Sequence, residues 1–219
     1  MSADRTTSKA RLKILESLKK LYPDASTELV FKGPYQLAIA VMLSAQCTDK
    51  KVNQVTPALF ERCPNFETLS LISLSELEKI INQINYYKTK AKHLIETAQI
   101  VREKHHGDLP HSMEELIELP GIGRKTASVI LGELGIVPTL PVDTHVFRVS
   151  KRLGISTGKD VREVEDSLRH NFDSKYWRPL HHQLILHGRR ICIAQRPKCS
   201  ECELSKLCPS AEVISTKKR

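Results

Sequence analysis

The stretch Leu119-Pro-Gly-Ile-Gly-Arg-Lys-Thr-Ala127 constrains this chain more than any other, because it forces a tight corner between two helical patterns. Before it, Ser112 is a good N-cap, and Glu115 stands at capping-box spacing for a short helix bearing Met113, Leu116 and Ile117. Pro120 and Gly121 end that helix. Gly121 and Gly123 can take backbone angles closed to other residues and leave their N–H groups uncovered, while Ile122 between them can plug the corner into a core. A second helix starts at once, with Ala127, Ile130, Leu131 and Leu134 at helical spacing. The expected unit is helix, hairpin, helix. Free N–H groups and the positive end of the helix dipole make an anion site there without any side chain. A lone GxG is weak evidence, and by itself an ordinary helical corner is the commoner reading. Lys125, one turn into the second helix, adds a cation whose plainest reading on spacing alone is phosphate neutralisation.

Charge gives that corner a partner. Lys and Arg number 34 against 25 Asp and Glu, a formal net charge of +9, which favours nucleic acid. The 219 residues, 40% hydrophobic, are enough to fill a real core. The longest apolar run, Leu37 to Leu43, is far too short to cross a bilayer, so no membrane partner is expected. Residues 1 to 20 carry Asp4, Arg5, Lys9, Arg11, Lys13, Glu16, Lys19 and Lys20, which leaves no apolar segment for a signal peptide. An intracellular protein is expected. The six cysteines are too few and too uneven for a secreted disulfide framework.

Along the chain, Leu12, Leu15, Leu18 and Leu21 predict a helix that Tyr22-Pro23 stops. Gly33-Pro34 opens a helix whose segment from Leu37 to Leu43 is apolar all round, the pattern of a central buried helix. Thr48 can cap the next helix, which bears Val52, Val55, Leu59 and Phe60, so Gln46 lies at an inter-helix junction. Helices are predicted around 75–84 and 89–104, with Asn85-Tyr86-Tyr87 as a corner in which Asn85 can take the left-handed conformation. The two tyrosines read either as half-buried packing or as a stacking platform for bases. Pro138 and Pro141 make the segment from Ile136 to Asp143 extended, a crossing between domains. Asp143 then suits the N-cap of a helix carrying Val146, Val149 and Leu153. Further helices follow Asp160 and run from about Pro179 to Cys192. On the last of these, capping, packing or solvent roles outrank metal ligation for His181, His182 and His187. The tail Lys217-Lys218-Arg219 is basic, and no strand-like alternation appears, so the chain reads as all-α.

Cys192, Cys199, Cys202 and Cys208 stand as C-x6-C-x2-C-x5-C, enough thiolates to enclose a metal centre. Structural zinc favours two short pairs, and only Cys199 and Cys202 form one. Wide gaps on either side suit an iron–sulfur cubane better, so the ranking is 4Fe-4S, then zinc, then coincidence. Cys47 and Cys63 need be no more than buried small hydrophobes. Within the first gap, Arg196 and Lys198 sit on a segment pinned at both ends and could face phosphates.

Taken in order, Leu119-Pro-Gly-Ile-Gly-Arg-Lys-Thr-Ala127, Pro141-Val-Asp-Thr-His-Val-Phe-Arg148, Leu184-Ile-Leu-His-Gly-Arg189 and the cysteine cluster resemble the endonuclease III family. Its members are iron–sulfur DNA glycosylase/AP lyases of the helix-hairpin-helix superfamily, and the likeness runs from about Arg11 to Pro209. It implies an all-α, two-lobed helix-hairpin-helix DNA glycosylase fold with a C-terminal 4Fe-4S cluster loop. Residues 26–137 would form a six-helix lobe, residues 1–25 with 138–219 the cluster lobe, and duplex DNA with damaged bases or abasic sites would lie across the groove between them. A monomeric, cytoplasmic, nucleoid-associated protein of bacterial type is implied, acting on oxidised pyrimidines. Lys125 would be the nucleophile and Asp143 its acidic partner. The chemistry needs the amine uncharged, whereas a free lysine, with a pKa near ~10.4, is almost wholly protonated at neutral pH. Gln46 would enter the gap left by a flipped nucleotide, or else simply bond the backbone at its junction. The hairpin residues Gly121, Ile122, Gly123 and Arg124, together with Thr144, Arg196 and Lys198, would contact DNA. At the wedge, many members have Gly-Leu-Tyr where this chain has Asn85-Tyr86-Tyr87, which puts its opposite-strand contacts through Asn85 and Tyr86 in question. Monofunctional relatives generally lack the hairpin lysine; a silent DNA-binding module is the alternative from another class.

Overall fold

A computed structural model describes residues 6–211; the basic tail lies outside them. The described residues form α-helices and short 3-10 turns, with no strand among them. In chain order the helices are α1 (Ser8–Leu21), α2 (Gly33–Ser44), α3 (Asp49–Arg62), α4 (Phe66–Leu71), α5 (Leu74–Ile81), α6 (Tyr87–Lys104), α7 (Met113–Ile117), α8 (Arg124–Glu133), α9 (Thr144–Arg152), α10 (Val161–Asn171) and α11 (Trp177–Arg190). No described helix is long and apolar enough to cross a membrane. The chain divides into two units, Glu28–Val137, and Met1–Thr27 with Pro138–Arg219.

The unit of residues 28–137 is built on α2. Every residue from Leu37 to Leu43 is buried, which explains why its apolar residues follow one another without a polar face. α2 packs against α3, α6 and α8, while α4 and α5 lie on α6. Each fully buried Leu or Ile of this core contributes about 1.5–3 kcal/mol over its exposed state. Thr48 caps α3 through the N–H of Lys51, 3.3 Å away. α4 has no counterpart in the apolar spacing, because six residues are too few to reveal a helical period. Its start is nonetheless marked: Asn65 Oδ1 accepts from Thr68 N at 2.9 Å, and Thr68 Oγ1 accepts from Asn65 N at 3.4 Å, a reciprocal capping box. With α4 this unit holds seven helices among the described residues, against the six implied by the resemblance.

In the other unit, Ile14, Leu15 and Leu18 of α1 share a core with Val146, Val149, Leu180, Leu184 and Leu204. α11 packs on α1 and α9, and α10 meets α9. Residues 136–143 are not helical, and Leu140 and Val142 are buried in this second core. The extended path therefore serves to deliver Asp143 to the start of α9.

Candidate active site and metal centre

The hairpin is set by its floor. Ile122 is 3% exposed and belongs to the core of residues 28–137, and Thr97 Oγ1 donates to Pro120 O at 2.8 Å, so the corner is anchored from below. Gly121 has φ +79°, and a Cβ there would meet the His93 Cβ and Nδ1 at 3.0 Å; both angle and space demand glycine. Gly123 differs from the sequence expectation. Its φ of −87° and ψ of 173° are extended values open to any residue, and no heavy atom lies within 4 Å of its ideal Cβ. What Gly123 supplies is an uncovered N-cap. No side chain caps α8, so the first N–H groups of a ten-residue helix face outward at its positive end. At the other end of the motif, Ser112 Oγ accepts from Glu115 N at 3.2 Å, and its hydroxyl donates to Glu115 Oε2 at 2.6 Å. Arg124 and Lys125 occupy the first turn of α8, both exposed.

A second set of residues gathers at the end of α2. Gln46 follows the helix with φ 54°, a left-handed conformation unusual for a residue with a side chain. Its own carbonyl accepts from Asn85 Nδ2 at 2.7 Å. Its side chain is exposed and makes no hydrogen bond among the described residues, so the reading in which Gln46 bonds the backbone at its junction does not hold. The left-handed residue of the wedge corner is Tyr86, not Asn85: Tyr86 has φ 58°, ψ 33° and is the N-cap of α6, which begins at Tyr87, two residues earlier than the spacing predicts. Asn85 instead spends its amide on Gln46. Tyr86 is 67% exposed, which removes the packing reading for it, whereas Tyr87 is half-buried against the core. Lys90, absent from the sequence reading, donates from Nζ to Leu43 O at 2.8 Å and Ala45 O at 2.6 Å. Burial lowers the pKa of its amine, opposed by Cys47 nearby. Met42, Gln46, Tyr86, Lys90, His93 and Gly121 line one cleft of about 250 Å³, so the hairpin, the wedge corner and the end of α2 open on the same space.

In the other unit, Asp143 is the N-cap of α9, its Oδ1 accepting from Val146 N at 2.7 Å. Thr144 is exposed beside it. One turn on, Arg148 donates from Nε to Cys192 O at 3.1 Å and from its Nη2 to Gly188 O at 3.0 Å. Arg152 donates to Ile193 O at 2.8 Å and Ala194 O at 2.9 Å. These two arginines, one turn apart on α9, staple the helix of Asp143 to the loop that follows Cys192. Their i, i+4 spacing was the available sequence signal. His145 lies half-buried beside Arg148, and burial lowers its pKa.

Cys192, Cys199, Cys202 and Cys208 line one small cavity with Arg152, His187 and Pro197. Burial raises the pKa of Cys202 and Cys208, and the neighbouring cysteine thiols push the same way against backbone N–H groups that lower it, so the sulfurs stand close enough to feel one another. Among the described residues no three His, Cys, Asp or Glu side chains converge on a single ion. Four thiols around one cavity are a donor set able to take a 4Fe-4S cluster, one thiolate to each iron. His187 is buried, its Nε2 3.7 Å from Cys202 Sγ and its Nδ1 3.1 Å from the Tyr22 hydroxyl; burial brings its pKa down to about 4. It is a neutral neighbour of the sulfurs. In the loop between the first two cysteines, Arg196 is exposed with φ 53°, and Lys198 is exposed while its N–H donates to Ile191 O at 3.0 Å.

Residues 39–173 match the family described as HhH-GPD superfamily base excision DNA repair protein. The chain is 43% identical to endonuclease III of Synechocystis sp. over 200 residues, covering 91% of each. It is 44% identical to endonuclease III of Bacillus subtilis over 195 residues, 89% of each. Among solved structures, a trapped endonuclease III–DNA covalent intermediate, an estranged-adenine complex, superposes with a TM-score of 0.89 at 41% identity over 97% of this chain and 99% of that one.

Proposed function

The chain belongs to the endonuclease III family within the HhH-GPD superfamily of base excision DNA repair proteins, and from that premise we propose that it is a bifunctional DNA glycosylase/AP lyase acting on oxidised pyrimidines in duplex DNA. The observation that carries this reading is the placement of Lys125. Its exposed amine stands on the first turn of α8, beside the uncapped N–H groups of a hairpin able to hold a phosphate. A base inside a duplex is out of reach, so the nucleotide is extruded, at a cost of about a few kcal/mol that is least for poorly paired lesions. The Lys125 nitrogen then forms a bond to the sugar C1′ as the bond from C1′ to the base breaks; the base leaves with the electron pair and takes up a proton. The C1′–O4′ bond of the aminal so formed then breaks, O4′ taking up a proton as the nitrogen gives one up, and the imine that results acidifies the C2′ proton, whose loss expels the 3′ phosphate by β-elimination. Asp143, with one oxygen fixed on Val146 N, stabilises positive charge growing on the sugar and can relay a proton.

Gln46 fills the gap left by the nucleotide and Tyr86 wedges against the facing strand, with Asn85 behind both. Gly121, Ile122, Gly123, Arg124 and Thr144 grip the backbone of the damaged strand, and Arg196 and Lys198 meet phosphates further along. Cys192, Cys199, Cys202 and Cys208 hold a 4Fe-4S cluster, which fastens the loop bearing Arg196 and Lys198 and carries no step of the reaction. Zinc is the reading this displaces; four irons per chain and absorbance near ~400 nm are expected. The protein acts as a monomer beside bacterial chromosomal DNA.

Borohydride reduction of a reaction on abasic DNA, without magnesium, is expected to trap a covalent adduct at Lys125. Lys125→Gln is expected to abolish both the adduct and nicking. Undiminished trapping by that variant overturns the assignment.

A further inference from the structure

The end of α2 can be accounted for carbonyl by carbonyl. Leu43 O accepts from Lys90 Nζ at 2.8 Å, Ser44 O from Cys47 N at 3.0 Å, Ala45 O from Lys90 Nζ at 2.6 Å, and Gln46 O from Asn85 Nδ2 at 2.7 Å. Four consecutive carbonyls are thus satisfied, three of them by the side chains of Asn85, just before α6, and Lys90, in its first turn. α2 has no basic residue in its own last turn, so the cation at its negative end is borrowed from α6. The side chain of Gln46, by contrast, has no hydrogen bond among the described residues and is exposed on the cleft it shares with Tyr86 and Lys90. The turn has a fixed backbone and a free amide.

We propose that Lys90 and Asn85 are positioning residues that lock the turn after α2, holding Gln46 in its left-handed conformation with its amide set for the space a flipped nucleotide leaves. The inference rests on the reading of the chain as a duplex-acting glycosylase/lyase. Without the two straps, the left-handed backbone of Gln46 relaxes toward conformations that other residues prefer, and the amide must be reordered at each encounter with DNA. The cost falls on duplex substrates alone. Where the complementary strand is missing there is no orphaned base and no gap in a stack, so a misplaced Gln46 loses nothing.

That asymmetry supplies the test. The full-length chain, with Lys90→Met and Asn85→Gly variants, is assayed without magnesium for nicking of one oligonucleotide with a single abasic site, annealed to its complement or alone. The readout is the ratio of duplex to single-strand rate, in which any loss of folded protein cancels. Lys90→Met is expected to lower the ratio at least tenfold, and Asn85→Gly, a change at an exposed site, at least threefold. Ratios within twofold of the parent for both variants overturn the proposal while leaving the glycosylase reading intact. A parent chain that nicks neither substrate sinks both. Should Lys90→Met not fold, the Asn85→Gly ratio decides the matter by itself.

Discussion

Asp143 carries two duties that one variant can separate. Its Oδ1 caps α9 on Val146 N, a role any short polar side chain fills, while the proposed chemistry needs its negative charge. Asp143→Asn keeps a good N-cap and is expected to stay within about 0.5 kcal/mol of the parent's stability, whereas Asp143→Ala costs about 1 kcal/mol. Both are expected to lower single-turnover base excision by about 100-fold or more, the usual scale for a lost electrostatic stabiliser. Full excision by Asp143→Asn, with its melting temperature unchanged, would reduce the residue to a cap. The cap was legible in the sequence because it is local: acceptor and N–H donor lie three residues apart. The place of Lys125 on the first turn of α8 was legible for a similar reason, since its register is counted from Gly123, whereas its role came only from the family resemblance.

At the scale of elements, the corner before α6 shows where local reasoning fails. Asn tolerates the left-handed conformation better than other residues with a side chain, so Asn85 was the natural candidate; yet Tyr86 adopts it, while the Asn85 amide is engaged by the backbone of Gln46, thirty-nine positions earlier. Non-glycine residues in this conformation carry about 1 kcal/mol of strain, and such strain persists where neighbouring structure imposes it. Tyr86→Gly is accordingly expected to raise unfolding free energy by up to about 1 kcal/mol in denaturant melts while weakening anisotropy-measured binding to a duplex with a stable abasic analogue. A Tyr86→Gly chain that binds as tightly as the parent would show that the exposed ring does not touch DNA. The hairpin teaches the complementary lesson. Two glycines looked alike in Gly-Ile-Gly, but His93 and a positive φ single out Gly121, while Gly123 matters by leaving the start of α8 open.

For the molecule as a whole, two hydrophobic cores make two answers to the loss of the proposed cluster. α9 and α11 are tied by Arg148 and Arg152 to the loop that follows Cys192, whereas α2 and α6 belong to a core that contains none of the four clustered cysteines. Cys199→Ala is expected to cost the described part of residues 138–219 amide-exchange protection, most of all in α9 and α11, and to leave α2 and α6 protected. Protection retained throughout would mean that packing alone holds the loop, and that the cluster contributes little to the fold.

The sequence by itself determined most of the helices, the caps at Thr48, Ser112 and Asp143, the hairpin and the spacing of the four cysteines, because each depends on residues within a few turns of one another; α4 escaped it because six residues show no helical period. Only the tertiary structure decided that Lys90 and Asn85 hold the carbonyls at the end of α2, that α9 is stapled through Arg148 and Arg152, and that His187 stands between Tyr22 and the sulfur of Cys202. These are hydrogen bonds between a side chain and a distant backbone or sulfur atom. A carbonyl carries no residue identity, so its donor leaves no pattern in the chain until folding brings the two together.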